Sequence, residues 1–226
     1  MYQPDIVLLS EPQIYACDLH QTMNYLKGEY NCSLNSLDLY DLDLPLVKSK
    51  AYGGTMVLWK RQLIPCIAVH PSISASLLPV IFHPIGFQPS IHIAVYLPTR
   101  GLESEFIQEI SKLSSTLDEL HEAYPAAPIY LRGDFNVSST NKSRSKLLNA
   151  FKHRECLNEV DIHHRTYHHF MGDGMSDSNL DKIMYSNYVT ELPMSLDPGI
   201  KTKSFCPCIN FLAWTQQLSE MINLWR

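Results

Sequence analysis

"YLRGDFNVSS", Tyr130 to Ser139, sets Asp134 and Asn136 two residues apart directly after the apolar run "PIYL". Gly accepts positive φ, and Asp and Asn bond their own backbone, so an isolated Gly-Asp-Phe-Asn is first of all a turn. An acid and an amide at the end of a buried strand are also what a phosphate-handling site uses. The rest of the chain has to decide between the two.

Working outward, "IHIAVYLP", Ile91 to Pro98, alternates cleanly. Ile91, Ile93, Val95 and Leu97 share one face, and His92, Ala94 and Tyr96 share the other. Between it and the opening stretch lies the clearest helix. Phe106, Ile110, Leu113, Leu117, Leu120 and Tyr124 recur every three or four residues, and Pro125 ends it. "DIVLLS", Asp5 to Ser10, reads as a strand buried on both faces, followed at once by Glu11.

Leu19, Met23 and Leu26 suggest a helix over Asp18 to Lys27 that stops at Gly28. "SLDLYDLDL", Ser36 to Leu44, reads as a half-exposed strand with a bulge, and its Asp38, Asp41 and Asp43 as strand residues more than a calcium loop. Gly53 to Lys60 and Leu180 to Ser186 read as strands, and Ser143 to Phe151 as a short helix. Phe211, Trp214, Leu218, Met221, Ile222 and Trp225 predict a final amphipathic helix from Asn210. Buried strands alternating with one-sided helices predict an α/β architecture of sheets covered by helices.

With 226 residues, 45% hydrophobic and 18% charged, the chain is large enough for one core, and no linker or repeat divides it. The net charge of −5 argues mildly against a nucleic-acid binder. Between Asp134 and Glu155, however, Lys142, Arg144, Lys146, Lys152 and Arg154 occur with no acid among them. That run is either a solvated helix face or a patch for phosphates, with Lys142, Arg144 and Lys146 as the candidate nucleic-acid contacts. None of the six cysteines forms a C-x-x-C pair. The start lacks signal-peptide features, and no apolar run is long enough for a membrane span. The expected setting is intracellular and reducing, the nucleus included.

Glu11, Tyr96, Asp134, Asn136 and Asp181 thus all stand at or near ends of apolar strands, where layered α/β folds gather active residues. Singly, each also has a plain structural role. In order, "PDIVLLSEPQ", "YLPT", "RGDFN" and "SNLDKIM" resemble the motifs of the endonuclease/exonuclease/phosphatase superfamily. "YGGTMVLWK" and "TYHHFMGDGMSDSNLDKIM" look most like endonuclease domains of non-LTR (LINE-like) retrotransposons.

The resemblance implies a DNase I-like, four-layer sandwich over residues 1–196: two mostly antiparallel sheets face to face, helices outside. It implies Mg²⁺ as cofactor with Glu11 as its ligand, and DNA as a partner. Asp134 would position or deprotonate the attacking water, Asn136 and Tyr96 would hold phosphate oxygens, and Asp181 matches an acid that orients a catalytic histidine. Two pieces of the family pattern are absent from this sequence. One is a first strand bearing an Asn. The other is a Ser-Asp-His ending, since Pro198 follows Asp197 and no histidine follows His169. His163, His164, His168 and His169 are poor substitutes, because adjacent strand residues face opposite ways. The expectation is a domain truncated at both ends, with residues 197–226 as a divergent, helical tail. Little or no turnover follows from it, and a non-catalytic nucleic-acid- or protein-binding module on the same fold is the alternative.

Overall fold

The computed structural model describes residues 4–26, 28–36, 53–99, 103–138, 140–160, 167–171, 174–178, 181–186, 201–203 and 210–214. Most of the strand expected over Ser36 to Leu44 lies outside these residues, as do His163, His164 and Asp197.

In chain order the elements are β1 (Ile6–Ser10), α1 (Leu19–Tyr25), β2 (Tyr30–Asn35), β3 (Thr55–Lys60), β4 (Ile67–Val69), β5 (Leu77–Phe82), β6 (Ser90–Tyr96), α2 (Glu103–Ala123) and β7 (Ile129–Asp134). Then follow α3 (Lys142–Arg154), β8 (Leu157–Glu159), β9 (Tyr167–Met171), β10 (Gly174–Ser178), β11 (Asp181–Ser186), β12 (Lys201–Lys203) and β13 (Asn210–Trp214). One sheet has the order β12-β13-β1-β3-β2 and the other β4-β5-β6-β7-β11-β8, while β9 and β10 form a separate hairpin. Most neighbours are antiparallel. The parallel pairs are β6 with β7, joined through α2 as a parallel connection requires, and β1 with β13.

Side-chain alternation produces the layers. On β1 and β3, Ile6, Leu8, Val57 and Trp59 pack against Leu78, Val80, Phe82 and Ala94 of the second sheet. The opposite residues, Val7, Leu9, Met56 and Leu58, pack outward with Leu19 and Met23 of α1. The other face of the second sheet, with Ile91, Ile93, Val95, Ile129 and Leu131, packs on Phe106, Leu113, Leu117 and Leu120 of α2 and on Leu148 and Phe151 of α3. Helix, sheet, sheet, helix is the expected four-layer sandwich, and β1 is buried on both faces as its unbroken apolar run requires.

The chain's end departs from expectation. Asn210–Trp214 is a strand, not the start of a helix, and pairs in parallel with β1, Ile6 opposite Phe211 and Leu9 opposite Trp214. The remainder of that predicted helix lies outside the described residues. Two physical reasons favour the strand. A short apolar run with aromatics fits either period, and β1 carries backbone donors and acceptors that need a partner on the edge away from β3. With β13 in place, β1 is interior to its sheet.

Candidate functional site

Three strand ends build one side of a cleft between the sheets. In the β6–β7 ladder Tyr96 is registered with Asp134, and in the β7–β11 ladder Asp134 is registered with Asp181. Tyr96 has the same parity as Ala94, whose side chain lies in the layer between the sheets. Tyr96, Asp134 and Asp181 therefore stand in one row on the inner face of the second sheet, at its rim.

Glu11 reaches the row from the other sheet. Strict alternation would carry it outward with Val7 and Leu9. Its backbone instead has φ 50°, a left-handed conformation held by the bond from Glu11 N–H to Gly54 O at 3.0 Å. The side chain turns into the cleft and shares a hydrogen bond with Tyr96. A non-glycine residue in this region is strained, and the strain is used here to re-aim a carboxylate.

The opening stretch is both a turn and part of the cleft. Asn136 N–H donates to Asp134 Oδ1 at 2.8 Å, and the turn puts Asn136 at φ 50°. Asn136 Nδ2 donates to Leu97 O at 2.7 Å, and the Asn136 side chain also hydrogen-bonds the Asp134 carboxylate. Leu97 N–H donates in turn to Asp134 O at 2.9 Å.

Burial, together with the neighbouring charges of Asp181 and Glu11, pushes the Asp134 carboxyl up to about 7, against the lowering effect of the Asn136 N–H. Burial and Glu11 likewise raise the Tyr96 hydroxyl, which is therefore a donor at neutral pH. Deeper between the sheets, the His92 and Tyr130 rings stack at 5.0 Å, and Arg132 lies 5.5 Å from the Tyr130 centroid. Burial pushes Arg132 down to about 10 and His92 well below its ordinary value.

The basic run divides. Lys142 and Lys146 are exposed on α3, whereas Arg144 is buried. The Arg144 guanidinium donates to Pro98 O at 2.6 Å, with Thr99 O and Asn136 O each at 3.5 Å, and lies 4.7 Å from the Phe106 ring centroid. It clamps the segments following β6 and β7 to each other; Lys152 is ion-paired with Glu159 and Arg154 with Asp118 and Glu155, so Lys142 and Lys146 are what is left of the candidate patch. Of His168 and His169, only the backbone pairing in β9 is described, with Asp177 and Ser176 opposite them.

Sequence reasoning did not single out Ser10 or Thr99. Thr99 hydrogen-bonds the Tyr96 hydroxyl. Ser10 is the one hydroxyl that closes the apolar run of β1 immediately before Glu11, and that position was its available signal.

Among the described residues, no group of three or more His, Cys, Asp and Glu side chains has a metal-holding arrangement. The donor set nevertheless fits a hard divalent cation. Carboxylate oxygens are its preferred ligands, Mg²⁺ takes only one or two of them beside water, and the crowding that raises Asp134 is what a cation relieves.

Two sheets face to face with helices outside make the DNase I-like fold. The endonuclease domain of TRAS1, a telomere-specific non-LTR retrotransposon, superposes with TM-score 0.56 and 11% identity, over 81% of this chain and 86% of that one. A mannosyl-6-phosphatase of Bacteroides thetaiotaomicron gives 0.55 and 16% over 81% and 71%. D. rerio TDP2, complexed with a single-strand DNA product, gives 0.54 and 14% over 88% and 77%. No protein-family profile matches the chain, and no curated protein matches it in sequence.

Proposed function

We propose that the chain is a metal-dependent phosphodiesterase domain of the DNA-nicking, retrotransposon type, with turnover reduced to near background. The row Tyr96–Asp134–Asp181 facing Glu11 across the cleft carries this reading. The ordered motifs favour DNA over a small phosphate ester.

Glu11, with Asp134 or Asp181 beside it, would hold Mg²⁺. When bound, the cation would neutralise charge on the scissile phosphate. Asp134, with a carboxyl near 7, is suited to accept a proton from water at neutral pH. The protonated Tyr96 hydroxyl and the Asn136 amide would exchange their bonds to Glu11 and Asp134 for phosphate oxygens as substrate enters. No histidine follows His169 among these 226 residues, where the family pattern would have Asp181 orient one. That gap supports low turnover.

A second reading, a non-catalytic nucleic-acid-binding module on the same fold, is favoured by the same gap and by exposed Lys142 and Lys146. Nicking of supercoiled plasmid with Mg²⁺ and with EDTA separates the two. Weak, EDTA-sensitive nicking that disappears in Asp134→Ala supports the first. No nicking together with salt-dependent DNA binding supports the second.

A further inference from the structure

Ser10 is buried to 1% exposure, although it is polar and stands between the two sheets. Its Oγ donates to Val95 O at 2.8 Å and accepts from Asp134 N–H at 3.2 Å. One hydroxyl at the end of β1 is thus bonded to β6 and β7 of the facing sheet. Only a group that both donates and accepts can do this, which excludes every apolar side chain that would otherwise continue the run of β1.

The opposing position is shaped for it. Gly133 is registered with Val95 in the β6–β7 ladder and has φ 148°. A Cβ there would lie 1.9 Å from Val95 O and 2.6 Å from Ser10 Oγ. The absent side chain is what lets the Ser10 hydroxyl reach the backbone of Asp134.

The next residue after Ser10 is Glu11, and the N–H that Ser10 holds belongs to Asp134. We propose that Ser10 is a positioning residue, an inter-sheet latch that fixes the spacing between the Glu11 and Asp134 carboxylates across the cleft. The two carboxylates sit on different sheets, and the latch joins those sheets at the site itself. The metal-binding consequence rests on the function proposed above, whereas the latch does not.

The test uses the whole chain, titrated with MgCl₂ in a calorimeter. Removing a partner that orients a metal ligand costs about 10–100-fold in affinity, and Ser10→Ala is expected to fall in that range. Ser114→Ala is the control. It breaks another buried serine bond, Ser114 Oγ to Glu155 Oε1 at 2.8 Å between α2 and the end of α3, away from the cleft. Unchanged Mg²⁺ affinity in Ser10→Ala, or an equal loss in Ser114→Ala, overturns the proposal.

If the unsubstituted chain binds no Mg²⁺, or Glu11→Gln leaves its affinity unchanged, the functional reading fails. Amide hydrogen exchange then judges the latch. Faster exchange at both Glu11 and Asp134 in Ser10→Ala, absent from Ser114→Ala, upholds it, and equal rates in the two variants overturn it. Should Ser10→Ala not fold, exchange in the unsubstituted chain decides. The Asp134 amide is expected among the slow core amides, and exchange at loop rates overturns the latch.

Discussion

Asp134 and Asp181 face each other as a registered pair across the β7–β11 ladder, two acids side by side on an inner sheet face. Like charges directly opposite in a ladder are destabilising, and burial adds to the cost. The Asp134 carboxyl is pushed up to about 7, burial being the largest cause and Asp181 the next. An unfolded Asp titrates at about 3.9, so between these values the folded chain binds more protons than the unfolded one. Stability therefore falls as pH rises through that window, and the full penalty is present above it. Asp134→Asn, which keeps an oxygen to accept from Asn136 N–H, is expected to stabilise at pH 8 by on the order of 2 kcal/mol and hardly at all at pH 4. Mg²⁺ should raise the midpoint of thermal unfolding at pH 8 in the unsubstituted chain and not in Asp134→Asn. Equal stabilisation by the substitution at both pH values would sink the idea.

Arg144 and its lysine neighbours should separate by measurement. Arg144→Ala removes the clamp on Pro98 O and uncovers Phe106, and a loss of about 2–4 kcal/mol is expected in chemical unfolding. Arg144→Lys should recover only part of it, since an ammonium lacks the planar fork. Lys142→Ala with Lys146→Ala should leave stability within about 0.5 kcal/mol. The pair should weaken any DNA binding uniformly across sequences, and the slope of log affinity against log salt should shrink by roughly 2 at most. Unchanged affinity in the double variant would reduce the two lysines to a solvated helix face.

The placement of β13 beside β1 makes a prediction in the first sheet. Leu212 pairs with Val7 on one side and with Lys201 on the other. Proline there removes a ladder donor from an interior strand, and Leu212→Pro is expected to cost about 3 kcal/mol or more. Chains ending at residue 209 should expose the apolar edge of β1 and self-associate, seen as a concentration-dependent mass in light scattering. A monomeric, equally stable truncated chain would show that β1 does not depend on this strand.

The strands and helices with an unbroken apolar run or a strong single period were legible in the sequence: β1, β6, α2, β7 and β11 lie where those patterns put them. β5 was not, because Pro79 interrupts "LLPVIF", and proline counts against a strand, yet here it pairs opposite Ile93 within the sheet. β8, with three residues, is too short to show a period. β13 was misread because Phe211 and Trp214, three apart, also fit a helix face, whereas the open edge of β1 is a tertiary fact. For the cleft, residue types at strand ends pointed to Glu11, Tyr96, Asp134 and Asp181. The roles of Arg144 and Ser10 depend on what lies across from them, a carbonyl cluster and a glycine, and no local pattern encodes that.

Turnover carries the last prediction. Loss of a general acid or base costs about 10²–10⁴ in rate, and residues acting as one unit lose most activity with the first deletion. On the function proposed above, nicking by these 226 residues should be near background even with Mg²⁺, because they hold no histidine after Asp181. Whatever remains should bear the signature of Asp134. A base must be deprotonated to act, and this carboxyl sits at about 7, so residual nicking should rise with pH to a plateau above that value. A bound cation favours the carboxylate, so raising Mg²⁺ should move the midpoint of the rise downward. The same ionisation that destabilises the fold is then the one that activates it, and Asp134→Asn should be the more stable chain with no pH-dependent nicking left. Single-turnover nicking of supercoiled plasmid from pH 5.5 to 8.5, at two Mg²⁺ concentrations, measures this. A flat profile, a midpoint indifferent to Mg²⁺, or equal nicking by Asp134→Asn would remove Asp134 from the role of base.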